Sequence, residues 1–151
     1  MKFVLPSRLG PFSVDPSGRI APRSGAGLPR FTFQWRDRKL SAELRSTEAD
    51  SRLTISAWLG RVPSSADPGS ISRREDSFQT LRGLLNALPS DWRLRLLPDH
   101  QVCLEAALPL SWPTSAVELM TEITRFLLAL APYLDLVDEE AVLQPAYPAL
   151  A

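Results

Sequence analysis

The run from Ser115 to Leu134 constrains this chain more than any other stretch. It opens with Ser115-Ala-Val-Glu118, a Ser-x-x-Glu spacing in which the serine oxygen accepts from a free backbone N–H and the glutamate reaches back to the cap. Leu119, Ile123, Phe126, Leu127, Leu130 and Leu134 then recur at helical steps, which places them on one apolar face. Thr121, Glu122 and Arg125 take the polar side. Pro132 predicts a stop or kink near the end, because its ring removes a donor and crowds the preceding turn. At about 1.5 Å per residue the helix spans roughly 25 Å. An apolar stripe of that length needs a sheet or another helix to cover.

The upstream chain supplies a sheet. Phe31, Phe33 and Trp35 alternate with Thr32, Gln34 and Arg36, the pattern of a strand with one buried face. Asp37-Arg38 predicts a turn. Leu40, Ala42 and Leu44 then alternate with Lys39, Ser41, Glu43 and Arg45. After a polar break from Thr47 to Ser51, Leu53, Ile55, Ala57 and Leu59 alternate with Thr54, Ser56 and Trp58. Short connections between successive strands imply antiparallel neighbours.

A loop from Pro63 to Ser72 leads to a first helix, from about Asp76 to Leu88, ended by Pro89. Its apolar stripe is Phe78, Leu81, Leu84, Leu85 and Leu88, and Thr80, Gly83 and Ala87 make the opposite side small. A mid-helix glycine costs about 1 kcal/mol against alanine, so Gly83 marks either tolerance or close approach by another element. Trp92, Leu94 and Leu96 alternate with Arg93 and Arg95, Pro98-Asp99-His100 turns the chain, and Val102, Leu104, Ala106, Leu108 and Leu110 resume the alternation. Pro109 and Pro113 end that strand. The predicted order is β-β-β-α-β-β-α: an α+β fold with a five-stranded antiparallel sheet and two helices packed on one face.

Residues 1–29, with Pro6, Pro11, Pro16, Pro22 and Pro29, read as an irregular Pro/Gly-rich N-terminal arm. Asp15-Pro16-Ser17-Gly18 is a turn signal with room for a small hairpin, its flanks being Pro11 to Val14 and Arg19 to Ala21. Ser24-Gly-Ala-Gly27 reads as a flexible joint. The α+β domain is expected over 30–137 and a tail over 138–151. Asp135, Asp138, Glu139 and Glu140 are expected to face water, since carboxylates past a helix C-terminus oppose its dipole.

Composition removes several function classes. A chain of 151 residues, 44% of them apolar, suits one domain with a real core. No apolar run reaches the roughly 18–20 residues of a membrane span, and Met1-Lys-Phe-Val-Leu-Pro lacks a secretory h-region, so a cytoplasmic protein is expected. Seventeen basic and seventeen acidic residues cancel, which removes the strongest argument for nucleic acid or an anionic membrane as partner. The single Cys103 excludes an internal disulfide, and one cysteine with the single His100 cannot build a zinc site of Cys and His ligands. His100 sits in a polar turn, and strand alternation puts it on the opposite face from Cys103, which reads as small and half-buried. There is no Gly-x-Ser-x-Gly elbow, and Gly25-Ala-Gly27 lacks the strand–turn–helix context of a phosphate loop. No catalytic, cofactor-binding or metal-ligating residue is therefore expected.

Arg36, Arg93 and Arg95 project from the apolar sets of their strands and form a basic patch if those strands adjoin. Glu43 and Glu105 share that face and dilute it. An RNA platform also wants stacking aromatics, and Trp58 is the only aromatic that parity places there. Trp58, beside Thr54 and Ser56, instead suggests an anchor for a protein partner on the face the helices leave open.

The element order and several segments resemble the secretion-chaperone family: the small class I chaperones of bacterial type III secretion and the related YbjN-like proteins. The resemblance covers Phe31 to Leu134. It is carried by Leu84-Leu-Asn-Ala-Leu88, by Val102-Cys-Leu-Glu-Ala-Ala-Leu-Pro-Leu110, and by Leu119 to Leu130 with its Phe126-Leu127. It implies a non-enzymatic homodimer, without cofactor, that holds the N-terminal region of a secreted effector partly unfolded on its sheet surface. Thr80, Gly83, Ala87, Trp92 and Leu94 fall in the helix and strand that commonly form the family's dimer interface. The alternative is a YbjN-like regulatory or interaction domain with another protein partner, and behind it a small-ligand or RNA-binding α+β domain. Two features depart from the family: a Pro/Gly arm stands where a helix usually precedes the first strand, and the charge is balanced rather than acidic.

Overall fold

Three short strands, β1 (Ser7–Leu9), β2 (Phe12–Val14) and β3 (Ile20–Pro22), open the computed structural model, which describes residues 7–22, 29–46, 51–66, 69–111, 113–140 and 143–144. Then come β4 (Arg30–Trp35), β5 (Arg38–Ser46), β6 (Ser51–Arg61), α1 (Ser70–Ala87), β7 (Arg93–Leu96), β8 (Gln101–Pro109) and α2 (Ala116–Glu140). The expected α+β architecture is present, with a five-stranded antiparallel sheet and two helices. Its strands lie in the order β4-β5-β6-β8-β7. No helix among the described residues is long and apolar enough to cross a membrane.

Alternation decides which face is buried. The register sets Leu40 opposite Ala57 and Ala57 opposite Leu104, then Ala42 opposite Ile55 and Ile55 opposite Ala106. All are buried, in one cluster with Leu81, Leu84 and Leu88 of α1 and Leu119, Ile123, Phe126, Leu130, Leu134 and Val137 of α2. Each such leucine or phenylalanine contributes about 1.5–3 kcal/mol of gross burial energy. Helix α1 starts at Ser70, well before the expected Asp76. The Arg74 guanidinium accounts for the extra turns, donating to the Pro63 carbonyl at 3.0 Å and lying 5.2 Å from the Phe78 ring centroid. The expected stripe is also corrected. Leu85 is 54% exposed, while Ser77 is buried with its hydroxyl donating to the Arg73 carbonyl at 2.8 Å.

Both ends of α2 are fastened. The Ser115 oxygen accepts from the Glu118 N–H at 3.1 Å, as the capping spacing requires. The Glu118 carboxylate turns instead to the buried Thr114, whose hydroxyl donates to it at 2.7 Å. At the far end the helix runs through Pro132 to Glu140 rather than stopping near Leu134. Pro132 is exposed, so the carbonyl it strips of a partner can turn to water. Two contacts hold the added turns: Val137 is buried, and Asp135 and Asp138 pair with Arg36 and Arg38, each at 2.5 Å. These carboxylates stay exposed, as expected, and the pairing with the two arginines is the unforeseen part. The arginines offset their unfavourable position near the negative helix end.

The expected irregular arm contains a meander, β1-β2-β3. The Asp15 carboxylate nucleates its second turn, accepting from the Ser17 and Arg19 backbone N–H groups and from the Ser17 hydroxyl. Phe12 and Ile20 are buried, and the Phe12 ring stands edge-on to Phe31 at 6.2 Å. The β2–β3 region is hooked to the start of α2: Ile20 donates to the Thr114 carbonyl at 3.0 Å, and Ala116 donates to the Gly18 carbonyl at 2.8 Å. The expected joint at Ser24-Gly-Ala-Gly27 lies outside the described residues, as do residues 47–50 of the expected polar break.

Near its end β6 carries a bulge, which shifts its register between Trp58 and Gly60. Gly60 has φ 152, and a Cβ there would meet the Gln144 carbonyl and the Leu143 side chain at 2.8 Å. Only glycine lets residues 143–144 pass, where Gln144 bonds to Arg61 in both directions: its carbonyl accepts from the Arg61 N–H at 2.8 Å and its N–H donates to the Arg61 carbonyl at 2.9 Å.

The β4–β5 turn is Arg36-Asp37, one residue earlier than expected. Both residues have positive φ, 52° and 59°, as a two-residue hairpin turn of right-handed twist demands. For residues other than glycine this costs about 1–2 kcal/mol each. Asp37 is exposed and glycine is the favoured residue at that position, so Asp37→Gly should raise stability by about 0.5–1 kcal/mol in urea unfolding. A loss of stability would show that the aspartate side chain supports the turn.

Candidate functional site

The face of the sheet away from the helices is built by the alternate residues of each strand. Along the central strand β6 it presents Arg52, Thr54, Ser56 and Trp58. Opposite Ser56 and Trp58 stand Glu105 and Cys103 of β8, which in turn face Arg93 and Arg95 of β7. On the other side Glu43 pairs with Thr54, and Arg45 with Arg52, while Arg30 of β4 lies opposite Glu43. Most of these side chains are half-buried or exposed. The site is a broad, solvent-facing surface.

Its charges are interleaved. Glu43 is gripped from both sides, by Arg30 at 2.5 Å and Arg45 at 3.1 Å, and the Arg30 hydrogen bond is the largest of the effects that hold its carboxyl below the usual value. Glu105 accepts from Arg95 at 2.6 Å. Arg36, which parity was expected to place on this face, does not join it. It occupies the β4–β5 turn, donates to the Ala131 carbonyl at 3.3 Å and pairs with Asp135. Nor do its strand and that of Arg93 adjoin, because β4 and β7 are opposite edges of the sheet.

Arg93 does lie on this face, and two further arginines, Arg45 and Arg52, join it there. Arg45, Arg52 and Arg93 border a groove of about 600 Å³ together with Thr54, Ser90, Asp91, Glu105 and Ala107. Strand alternation placed Lys39 and Arg45 on this side but left Arg52 unassigned, and the meeting of Arg45 and Arg52 with Arg93 depends on β6 lying beside β8. That is a long-range pairing which sequence alternation does not specify. Trp58 is half-buried, with the Lys39 ammonium 5.4 Å from its ring centroid.

Cys103 is 3% exposed although it faces this side, more buried than expected. Trp58 and Arg95 flank it across the sheet. His100 sits in the β7–β8 turn at φ 67, where its N–H donates to Leu97 and its carbonyl accepts from Val62. Among the described residues no group of three or more His, Cys, Asp or Glu side chains is placed to hold a metal ion.

The residues expected at a dimer interface divide into two sets. Thr80 and Gly83 line a second groove of about 590 Å³ with Asp76, Gln79, Leu136 and Glu140. A Cβ on Gly83 would meet nothing within 4 Å, so among the described residues no other element makes close approach there. Ala87 is exposed, and its carbonyl accepts from the Tyr133 hydroxyl at 3.2 Å. Trp92 and Leu94 instead pack on their own core, the Trp92 ring lying 5.1 Å from Phe126 and 5.7 Å from Tyr133.

Comparison with family models, with curated proteins and with solved structures finds no match to this chain.

Burial pushes the Cys103 thiol up to about 11, and the nearby Glu105 charge acts in the same direction. A thiol raised in the folded state leaves stability intact below the ordinary value near 9 and removes it as pH rises towards 11. Between pH 8 and pH 10.5 the native chain should therefore lose about 1–2 kcal/mol more than Cys103→Ala, read by urea unfolding. Equal losses would mean that the thiol titrates normally.

Proposed function

We propose that this chain is a non-enzymatic protein-binding module that holds a partner polypeptide on the open face of its sheet. One observation carries the reading. The apolar face is closed by α1 and α2, with Phe12 and Ile20 of the β1–β3 meander joining the same core, while the other keeps a half-buried tryptophan at the end of a polar strip. A large aromatic on an accessible sheet is the kind of group that anchors a partner. In the secretion-chaperone reading the occupant is the N-terminal region of an effector, held extended and fit for export. The β-β-β-α-β-β-α order from β4 to α2 supports this reading. A YbjN-like interaction domain would use the same face for a different protein.

The test is recovery of partners from the native host with wild-type chain and Trp58→Ala as bait. Partners recovered by the wild type should be lost with the variant, whose thermal unfolding is expected to change little. Equal recovery by both baits would remove Trp58 from the reading.

The homodimer belongs to the same proposal, with the small side of α1 at Thr80, Gly83 and Ala87 as the contact. Because the space beside Gly83 is empty in the single chain, Gly83→Leu should leave the fold intact yet convert dimer to monomer in sedimentation velocity at micromolar concentration. A wild-type monomer, or a dimer that survives the substitution, overturns that contact.

A further inference from the structure

We infer that the segment held on the open face is extended and acidic, with a large apolar residue about four positions from its carboxylates. This rests on the protein-binding reading above and adds the chemistry of the partner. Among the described residues of this face and its groove, Arg30, Lys39, Arg45, Arg52, Arg93 and Arg95 outnumber the acids Glu43, Asp91 and Glu105. The balancing acids lie elsewhere: α2 carries Glu118, Glu122, Asp135, Asp138, Glu139 and Glu140 against the single base Arg125. A chain with zero formal charge thus has a positive sheet side, and such a side attracts and orients a negative partner.

The positive charge is not spread evenly. The groove bordered by Arg45, Arg52 and Arg93 lies at the Thr54 end of β6, and Trp58 with Lys39 lies at the other. At about 3.3 Å per residue, Thr54 and Trp58 are roughly 13 Å apart along the strand. An extended segment along β6 therefore sets carboxylates in the groove and, about four residues away, an apolar side chain against the Trp58 ring. Guanidinium groups suit carboxylates because their planar donors can engage both oxygens.

Nucleic acid fits this surface less well. Glu43 and Glu105 interrupt the cations, so an unbroken row of phosphates would meet two carboxylates. A single-strand platform also needs successive stacking aromatics, and among the described residues of this face Trp58 stands alone.

The experiment measures fluorescence anisotropy with a labelled peptide that carries a short run of glutamates and, about four residues on, a phenylalanine. Controls are the same peptide with glutamine for glutamate, and a single-stranded oligonucleotide of equal charge. The acidic peptide should bind at least about tenfold more tightly than the glutamine peptide and weaken as salt rises. Arg93→Glu should reduce its binding at least tenfold with unchanged thermal unfolding, and Trp58→Ala should weaken both peptides. Equal binding of the two peptides, indifference to Arg93→Glu, or tighter binding of the oligonucleotide would each overturn the inference. Host partners lost with Trp58→Ala but kept with Arg93→Glu would leave protein binding standing and reject the acidic segment alone.

Discussion

The structure depends on α2 lying along the sheet with both of its ends fixed. Its buried stripe, Leu119 to Val137, supplies much of the core on that side, but a stripe alone allows sliding and rotation. Thr114 and Ala116 hook the start of the helix to Ile20 and Gly18, and Arg36 and Arg38 hold its end through Asp135 and Asp138. One anchor set comes from the β1–β3 meander, the other from the β4–β5 turn and the start of β5. Together they set the helix register, and so which face of the sheet is covered and which is left bare. The Arg36 backbone bears a strained conformation at the turn, and its side chain reaches α2 from there.

Period-two alternation from Phe31 to Leu59 and from Val102 to Leu110 marked the strands and the core face, because a half-buried strand writes its environment into every second residue. The helix stripes were legible for the same reason at a different period. What escaped notice was set by contacts distant in sequence. Helix α2 outlasts Pro132 because Val137 and the two arginines reward continuation, and α1 begins early because Arg74 finds the Pro63 carbonyl. The β2–β3 hairpin was legible in the Asp15 to Gly18 turn and its extended flanks, but β1 and the burial of Phe12 and Ile20 were not, since those two become core residues only where β4 and α2 meet them. The basic groove was hidden similarly. Each of its cations has the right parity, but nothing local says that Arg45, Arg52 and Arg93 converge.

Overall neutrality was a poor guide to the surface. The equal numbers of acids and bases average over a molecule whose α2 is strongly acidic and whose bare sheet face, among the described residues, carries more bases than acids. Several of the acids serve the fold: Asp135 and Asp138 fasten α2, and Asp15 builds a turn. Glu43 and Glu105, by contrast, sit among the arginines and temper their field without cancelling it. A surface of this kind discriminates by pattern as well as by net charge, since a partner must match the positions of both signs.

The hook between Gly18 and Ala116 carries a consequence for how the chain acquires its fold. It joins elements from the two ends of the described region, and α2 is the last of them to be synthesised. Until it emerges, the apolar sides of β4, β5, β6 and β8 lack most of their cover, and Phe12 and Ile20 lack a complete core to enter. Closure is thus a late, long-range event, of the sort that slows folding and exposes strand surfaces to neighbours meanwhile. The nascent protein would itself be a candidate for protection by cellular chaperones until α2 arrives.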